Sequence, residues 1–88
     1  MTPAQCRAAR GLINMSIAQL AAAAVVPVVV IFDFEGGYGR PKPEDLTALQ
    51  GALERAGVEF TNGGQPGVRL RGPGGTIAAD QLNASNDG

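Results

Sequence analysis

The sequence contains no histidine, no tryptophan and only one cysteine, Cys6, in 88 residues. Without histidine, no His-dependent catalytic triad can form, and the common zinc sites are excluded. A single cysteine cannot form an internal disulfide, and no residues around Cys6 have metal-ligand spacing. We therefore expect no metal, no cofactor and a reducing, cytoplasmic compartment, with Cys6 as a small packing residue on a helix face.

The chain also lacks an excess of positive charge. Seven basic residues stand against eight acidic ones, which gives a formal net charge of −1. A general nucleic-acid binder is expected to be basic, so this balance weakens a nucleic-acid function without excluding it. The length predicts one small domain, for which dimerisation would add buried surface.

The residue groupings of an enzyme are missing as well. No nucleophile stands in a pattern with a base, and the glycine-rich residues 36–39 lack the Lys and Ser/Thr that complete a phosphate-binding loop. Asp33 and Glu35 are two residues apart on a predicted helix, so their side chains point in different directions. We therefore predict that the protein is not an enzyme.

One long apolar segment is present. Residues 17–32 carry no charge, and a single glutamine is their only polar side chain. A membrane span or signal peptide is one interpretation, with Arg7 and Arg10 as its basic flank. The segment is shorter than the roughly 20 residues of a spanning helix, Pro27 interrupts it, and Ser16 is a helix-capping residue at its start. We therefore predict no membrane association.

Capping signals define the first helices. Thr2 with Gln5 forms a capping box that starts a helix at Pro3, and Ser16 with Gln19 forms a second box. The second helix is expected to extend to about residue 23, with a turn at residues 25 and 26.

Residues 28–34 are ambiguous, because β-branched and aromatic residues in isolation are typical of a strand. We predict a helix beginning at about Pro27, because Ile31 and Phe34 share one helical face and because of the resemblance described below. Residues 36–39 are then predicted to form a loop.

The second half of the chain predicts a helix, a hairpin and a tail. The helix begins at Pro43 and stops at Gly57, with Leu46, Leu49, Leu53 and Ala56 on its buried side. Apolar and polar residues alternate on both sides of Asn62-Gly63, which predicts a β-hairpin. We expect a helical domain at 1–57, the hairpin at 58–71 and a disordered tail at 72–88.

Several segments together resemble one family. They are RAARGL at 7–12, Ser16, Leu20-Ala21, Val26, Ile31, Phe34-Glu35, Pro41 and ALERAGVEF at 52–60. With these residues the chain, from Met1 to about Arg71, resembles the lambda-repressor-like, Xre-type helix-turn-helix regulators.

The resemblance implies a mainly α fold, a lambda-repressor-like helix-turn-helix bundle of four to five short helices with a C-terminal β-hairpin. It also implies a cytoplasmic transcription regulator that binds double-stranded DNA, often as a homodimer, through the helix at about 27–35. A structural ion pair between Arg10 and Glu35 is implied too.

The sequence departs from this family where its members usually contact DNA. Val25 stands where glycine is common at the turn, and Ile17 where a glutamine is common. The candidate DNA-binding residues are Pro27, Val28, Val29, Phe32, Arg40 and Lys42. Arg40, Lys42 and Arg7 would contact phosphates, whereas the apolar side chains could contact only thymine methyl groups.

Two alternatives remain open for the apolar side chains. Val28, Val29 and Phe32, together with Ile17 and Tyr38, could form an exposed patch that binds a protein, either a second copy of the chain or another regulator. In that case the helix-turn-helix would be degenerate and would no longer recognise DNA. The same patch could instead pack against the C-terminal hairpin or tail as part of the core.

Overall fold

The computed structural model describes residues 1–61 and 64–71, which form four α-helices followed by a two-stranded antiparallel sheet. The predicted mainly helical architecture with a C-terminal hairpin is confirmed. The predicted Asn62-Gly63 turn and the predicted tail at 72–88 lie outside the described residues. The elements are α1 (Pro3–Leu12), α2 (Ile17–Ala24), α3 (Val28–Gly36), α4 (Pro43–Arg55), β1 (Val58–Thr61) and β2 (Gly67–Leu70).

Reciprocal side-chain caps start the first two helices, as predicted. The Thr2 hydroxyl accepts a hydrogen bond from the Gln5 backbone N–H at 3.0 Å, and the side-chain Oε1 of Gln5 accepts one from the Thr2 backbone N–H at 2.8 Å. Ser16 and Gln19 make the same pair of bonds at 3.0 and 2.9 Å. Each box satisfies two backbone groups that a helix start would otherwise leave unpaired.

The connection between α2 and α3 is short and strained. Val25 ends α2 in the left-handed conformation, with φ 56° and ψ 51°, and its side chain is 89% exposed. The Val26 N–H donates to the Ala21 carbonyl at 3.0 Å, and the Val26 side chain is buried. A β-branched residue in this conformation costs roughly 1–3 kcal/mol.

Residues 28–34 are helical, as predicted, although their local preference is for a strand. Pro27 is the residue before the helix rather than part of its first turn. Gly36, which was predicted to begin a loop, is instead the last residue of α3, and Gly37 ends the helix with φ 79°. Tertiary packing of Ile31 and Phe34 outweighs the local propensity.

The core lies where the helices and the hairpin meet. Its largest fully buried side chains are Leu20, Ile31, Leu49, Leu53, Val58 and Cys6. On α4, Leu49 and Leu53 are buried as predicted, and Leu46 is partly buried. The prediction for Ala56 is wrong, because α4 ends at Arg55 and the exposed Ala56 caps it; Ala52 is buried instead.

The hairpin packs against α1 and α4 and pairs Val58 with Leu70 and Phe60 with Val68. Gln5 joins it to α1, because the Gln5 side-chain amide donates to the carbonyl of Thr61 at 3.2 Å and to that of Gly67 at 3.0 Å. A buried glutamine on the first helix therefore holds both strands.

Candidate nucleic-acid interface

Helix α3 is packed on one side and open on the other. Ile31, Phe34 and Glu35 face the interior and are buried. Val28, Val29 and Phe32 lie on the outward side, with 49, 59 and 61% of their surfaces exposed. All three were predicted as candidate DNA-binding residues, and the structure brings them together on one face.

The open side of α3 continues onto the end of α2. A shallow apolar depression lies between the two helices, lined by Ala21, Ala22, Val25, Val26, Pro27 and Val28. We call Val25, Pro27, Val28, Val29 and Phe32 the apolar face. These side chains offer methyl groups and one aromatic ring but no hydrogen-bond donor or acceptor. They are exposed and do not pack against the hairpin as core, and the predicted tail, the other partner in that interpretation, lies outside the described residues.

The start of α3 offers backbone groups to a ligand. Pro27 precedes the helix and makes no side-chain cap, and the Val30 N–H bonds to the Pro27 carbonyl at 3.1 Å. The first N–H groups of a helix have no intrahelical acceptor, and the helix dipole gives this end a partial positive charge. Such an end is suited to a phosphate.

Arg40 and Lys42 follow α3 in an exposed segment, Gly39 to Lys42, that leads into α4. They line a second depression together with Val30 and Asp33 of α3 and with Asp45 of α4. The two cations therefore lie beside α3, next to the apolar face rather than on it. Two carboxylates share this depression, so the charges of its lining side chains sum to zero.

Arg10 and Glu35 form a bidentate ion pair between α1 and the end of α3. The Arg10 Nε donates to Glu35 Oε2 at 2.7 Å, and Nη2 donates to Oε1 at 2.5 Å. Only 6% of the Glu35 side chain and 19% of the Arg10 side chain are exposed. The Arg10 Nη1 also donates a hydrogen bond to the Met15 carbonyl at 3.1 Å. The loop after α1 is therefore bound to the same guanidinium group as Glu35.

Two further side chains complete the surroundings of Glu35. The Cys6 thiol donates to Glu35 Oε2 at 3.1 Å, and Arg7 donates to the Glu35 backbone carbonyl. Arg7, which was predicted as a possible phosphate contact, therefore caps the end of α3. The predicted packing role of Cys6 missed its hydrogen bond, because nothing in the sequence indicates which side chain would face it.

The charge state of this cluster follows from its contacts. Burial opposes ionisation of Glu35, but the hydrogen bonds from Arg10 and Cys6 and the charges of Arg10 and Arg7 outweigh it and hold the pKa of Glu35 below its ordinary value. Burial, followed by the bond to Glu35, raises the pKa of the Cys6 thiol to about 12. The hydrogen bond to Glu35 raises the pKa of Arg10. The pair is therefore ionised at neutral pH and the thiol is protonated.

The second buried polar group, Gln5, was recognised in the sequence only as a helix-capping residue. Its bonds to Thr61 and Gly67 span more than 50 residues, and no local pattern predicts them. Gln5 thus positions the hairpin relative to α1, and α1 in turn positions α3 through Arg10.

Neither a metal site nor a membrane span is found in the described part of the chain. Among residues 1–61 and 64–71, no three cysteine or acidic side chains are grouped so that they could bind a metal ion. Within the same residues, no helix combines the length and apolar character needed to cross a bilayer. No family model matches the sequence, and no curated protein matches it significantly.

Proposed function

We propose that this chain is a lambda-repressor-like helix-turn-helix domain of a cytoplasmic transcription regulator, and that it binds double-stranded DNA with α3. The observation that carries the proposal is the disposition of α2 and α3, two short helices joined by three residues, of which the second exposes one side. A helix that enters the major groove needs such an unobstructed side and a rigid support behind it.

The rear of α3 supplies that support. Arg10 and Arg7 on α1 both bond to Glu35 at the end of α3, while Ile31 and Phe34 are buried in the core. The helix is thus fixed in orientation without using any side chain of its outward side. A groove-binding helix gains affinity from this arrangement, because little conformational freedom remains to be lost on binding.

Phosphate contacts in this proposal come from Arg40, Lys42 and the start of α3. Lys42 and Arg40 are exposed and make no ion pair within the described residues. Base contacts come from Val28, Val29 and Phe32 against thymine methyl groups. Asp33 and Asp45 oppose phosphate binding, so we expect modest, strongly salt-dependent affinity.

A second candidate function is protein binding through the apolar face. It is favoured by one observation: Val25, Val29 and Phe32 are each more than half exposed, and they belong to a run, residues 17–32, that carries no charge. Exposed apolar patches on small proteins often mark interaction sites. In this case a partner protein would cover Val29 and Phe32.

Selection from a randomised duplex-DNA library, at about 50 mM salt and again near physiological salt, tests the proposal. Enrichment of a defined site supports DNA recognition by α3. Binding that disappears with salt and enriches no site contradicts it and leaves the protein-binding alternative.

Two charge-matched variants sharpen this test. Lys42→Ala should weaken binding to the selected site and lower the slope of log affinity against log salt by about one. Arg55→Ala removes the same charge at the opposite end of α4 and should leave that slope unchanged. Equal effects of the two variants would show that only net charge matters.

A further inference from the structure

Asp33 places a carboxylate at the border of the apolar face. It follows Val29 by one turn of α3, so the two side chains are neighbours, about 40° apart around the helix axis. Val29 is 59% exposed and Asp33 is half-buried, and beyond Asp33 begins the depression that Arg40 and Lys42 line. The other acid of α3, Glu35, is buried. Asp33 is therefore the acidic group of α3 that lies next to its exposed valines.

The Asp33 carboxylate has no partner in the described part of the chain. Within residues 1–61 and 64–71 it makes no hydrogen bond and no ion pair, although Arg40 and Lys42 line the same depression. Its backbone carbonyl is bonded, because it accepts from the Tyr38 N–H at 2.9 Å. The carboxylate oxygens are acceptors only, so the ligand that suits them is one that donates.

The major-groove edge of a pyrimidine offers two groups that match this pair of side chains. Thymine presents its C5 methyl group to apolar side chains, and cytosine presents its N4 amino group, which donates to Asp or Glu. 5-Methylcytosine carries both groups on neighbouring ring atoms. Thymine has the methyl group but an acceptor, O4, in place of the amino group. Unmodified cytosine has the amino group without the methyl.

We propose that Val29 and Asp33 bind 5-methylcytosine in double-stranded DNA, so that cytosine methylation strengthens binding of this protein to its site. This inference rests on the DNA-binding function proposed above and names one base that α3 recognises. Val29 contacts the C5 methyl group, and the Asp33 carboxylate accepts a hydrogen bond from the N4 amino group of the same base. Val28 and Phe32, on the other side of Val29 from Asp33, are left to contact thymine methyl groups.

The cations beside Asp33 offset its repulsion by DNA. Phosphates repel a carboxylate, but Arg40 and Lys42 are exposed in the same depression and carry the opposite charge. Asp45 also lines this depression and is half-buried like Asp33. It belongs to α4, however, and not to the helix that carries the exposed valines. Asp45 therefore contributes the same charge without the neighbouring methyl groups.

Selection from two randomised duplex libraries tests the inference, one synthesised with cytosine and one with 5-methylcytosine in its place. Each pyrimidine of the enriched site is then changed in turn to cytosine, 5-methylcytosine and thymine, with the matching purine opposite. At one position 5-methylcytosine should bind about fourfold tighter than cytosine, which is the effect of one buried methyl group. It should bind about tenfold tighter than thymine, which is the effect of one hydrogen bond to a charged group.

Three variants assign the two contacts through ratios of affinities, in which a general effect of charge cancels. Asp33→Ala should remove the preference over thymine and keep the preference over cytosine. Val29→Ala should reduce the preference over cytosine. Asp45→Ala is the matched control: it should tighten binding to all DNA and leave both ratios unchanged. Equal effects of Asp33→Ala and Asp45→Ala on the ratio of 5-methylcytosine to thymine overturn the role of Asp33.

Two negative outcomes differ in what they contradict. If neither library enriches a site, DNA recognition by α3 is contradicted, and recognition of 5-methylcytosine with it. If a site is enriched but cytosine and 5-methylcytosine bind equally at every position, DNA recognition stands and the recognition of 5-methylcytosine is overturned.

Discussion

Glu35 at the end of α3 is held by two parallel hydrogen bonds from Arg10 of α1, and the carboxylate is almost fully buried. The pair joins two helices through residues that are 25 positions apart in the chain. It also fixes the end of the helix that carries the apolar face.

Glu35→Gln should destabilise the fold by about 3 kcal/mol, because it leaves the partly buried charge of Arg10 without a counter-charge. The measurement is the free energy of unfolding from urea titration. Glu59→Gln is the control: its pair with Arg69 is exposed and should contribute less than about 1 kcal/mol. Equal losses in the two variants would contradict a special role for the Arg10–Glu35 pair.

Stability should fall on the acid side because of Glu35. Its pKa is lower in the folded state than the unfolded value of about 4.3, so its contribution is complete above that value and is lost as pH falls through the folded pKa. Unfolding free energies between about pH 2 and 6 check this. Glu35→Gln should flatten the acid decline, and an unchanged slope would exclude Glu35 as its source.

Stability should also fall on the alkaline side because of Cys6. Its pKa is about 12 in the fold, whereas an unfolded thiol has a pKa of about 8.5. The contribution is complete below the unfolded value and is lost as pH rises toward the folded one, by about 1.4 kcal/mol per pH unit. Cys6→Ala should remove this decline, and its persistence in that variant would assign it to other groups.

Val25→Gly should stabilise the protein by about 1 kcal/mol, because glycine adopts the left-handed conformation without strain and this gain exceeds its larger entropy loss on folding. Asn14, with φ 57°, offers a matched control. Asn14→Gly should have a smaller effect, because asparagine tolerates this conformation well. Thermal melting curves of both variants would show the difference, and destabilisation by Val25→Gly would refute the strain argument.

If α3 recognises DNA, its specificity should depend on thymine methyl groups. Replacing thymidine by deoxyuridine within a selected site removes each methyl and leaves the hydrogen-bonding edges of the base unchanged. The affinity should fall about fourfold for each contacted methyl, since burial of one carbon group contributes about 0.8 kcal/mol. The same replacement outside the site is the control, and full affinity for the uracil site would argue against contacts from Val28, Val29 and Phe32.

Much of the fold follows from local signals in the sequence. The capping residues Thr2 and Ser16 mark the starts of α1 and α2, because a side-chain oxygen at these positions satisfies a nearby backbone N–H. The alternation of apolar and polar residues around 58–70 predicted the hairpin. Helix α3 was harder to predict, because its own residues favour a strand. Only the spacing of Ile31 and Phe34 and the family resemblance indicated a helix.

The site was less predictable because it depends on long-range contacts. The bonds of Cys6 and Arg7 to Glu35 arise from the relative position of α1 and α3, which no sequence spacing specifies. The sequence likewise placed Arg40 and Lys42 near the candidate interface but could not show that Asp33 and Asp45 share their depression. Ala56 was misplaced because α4 ends one residue earlier than its apolar spacing suggests.

The bonds from Gln5 to Thr61 and Gly67 have a consequence for how the protein is made. During synthesis α1 leaves the ribosome before the hairpin, but the Gln5 side-chain amide can bond to both acceptors only after Gly67 of β2 has been translated. The part of α1 around Gln5 stays uncovered until then, whereas its contacts with α3 through Arg10 do not depend on the hairpin. A nascent chain arrested before residue 67 therefore exposes the part of α1 that β2 covers in the finished protein.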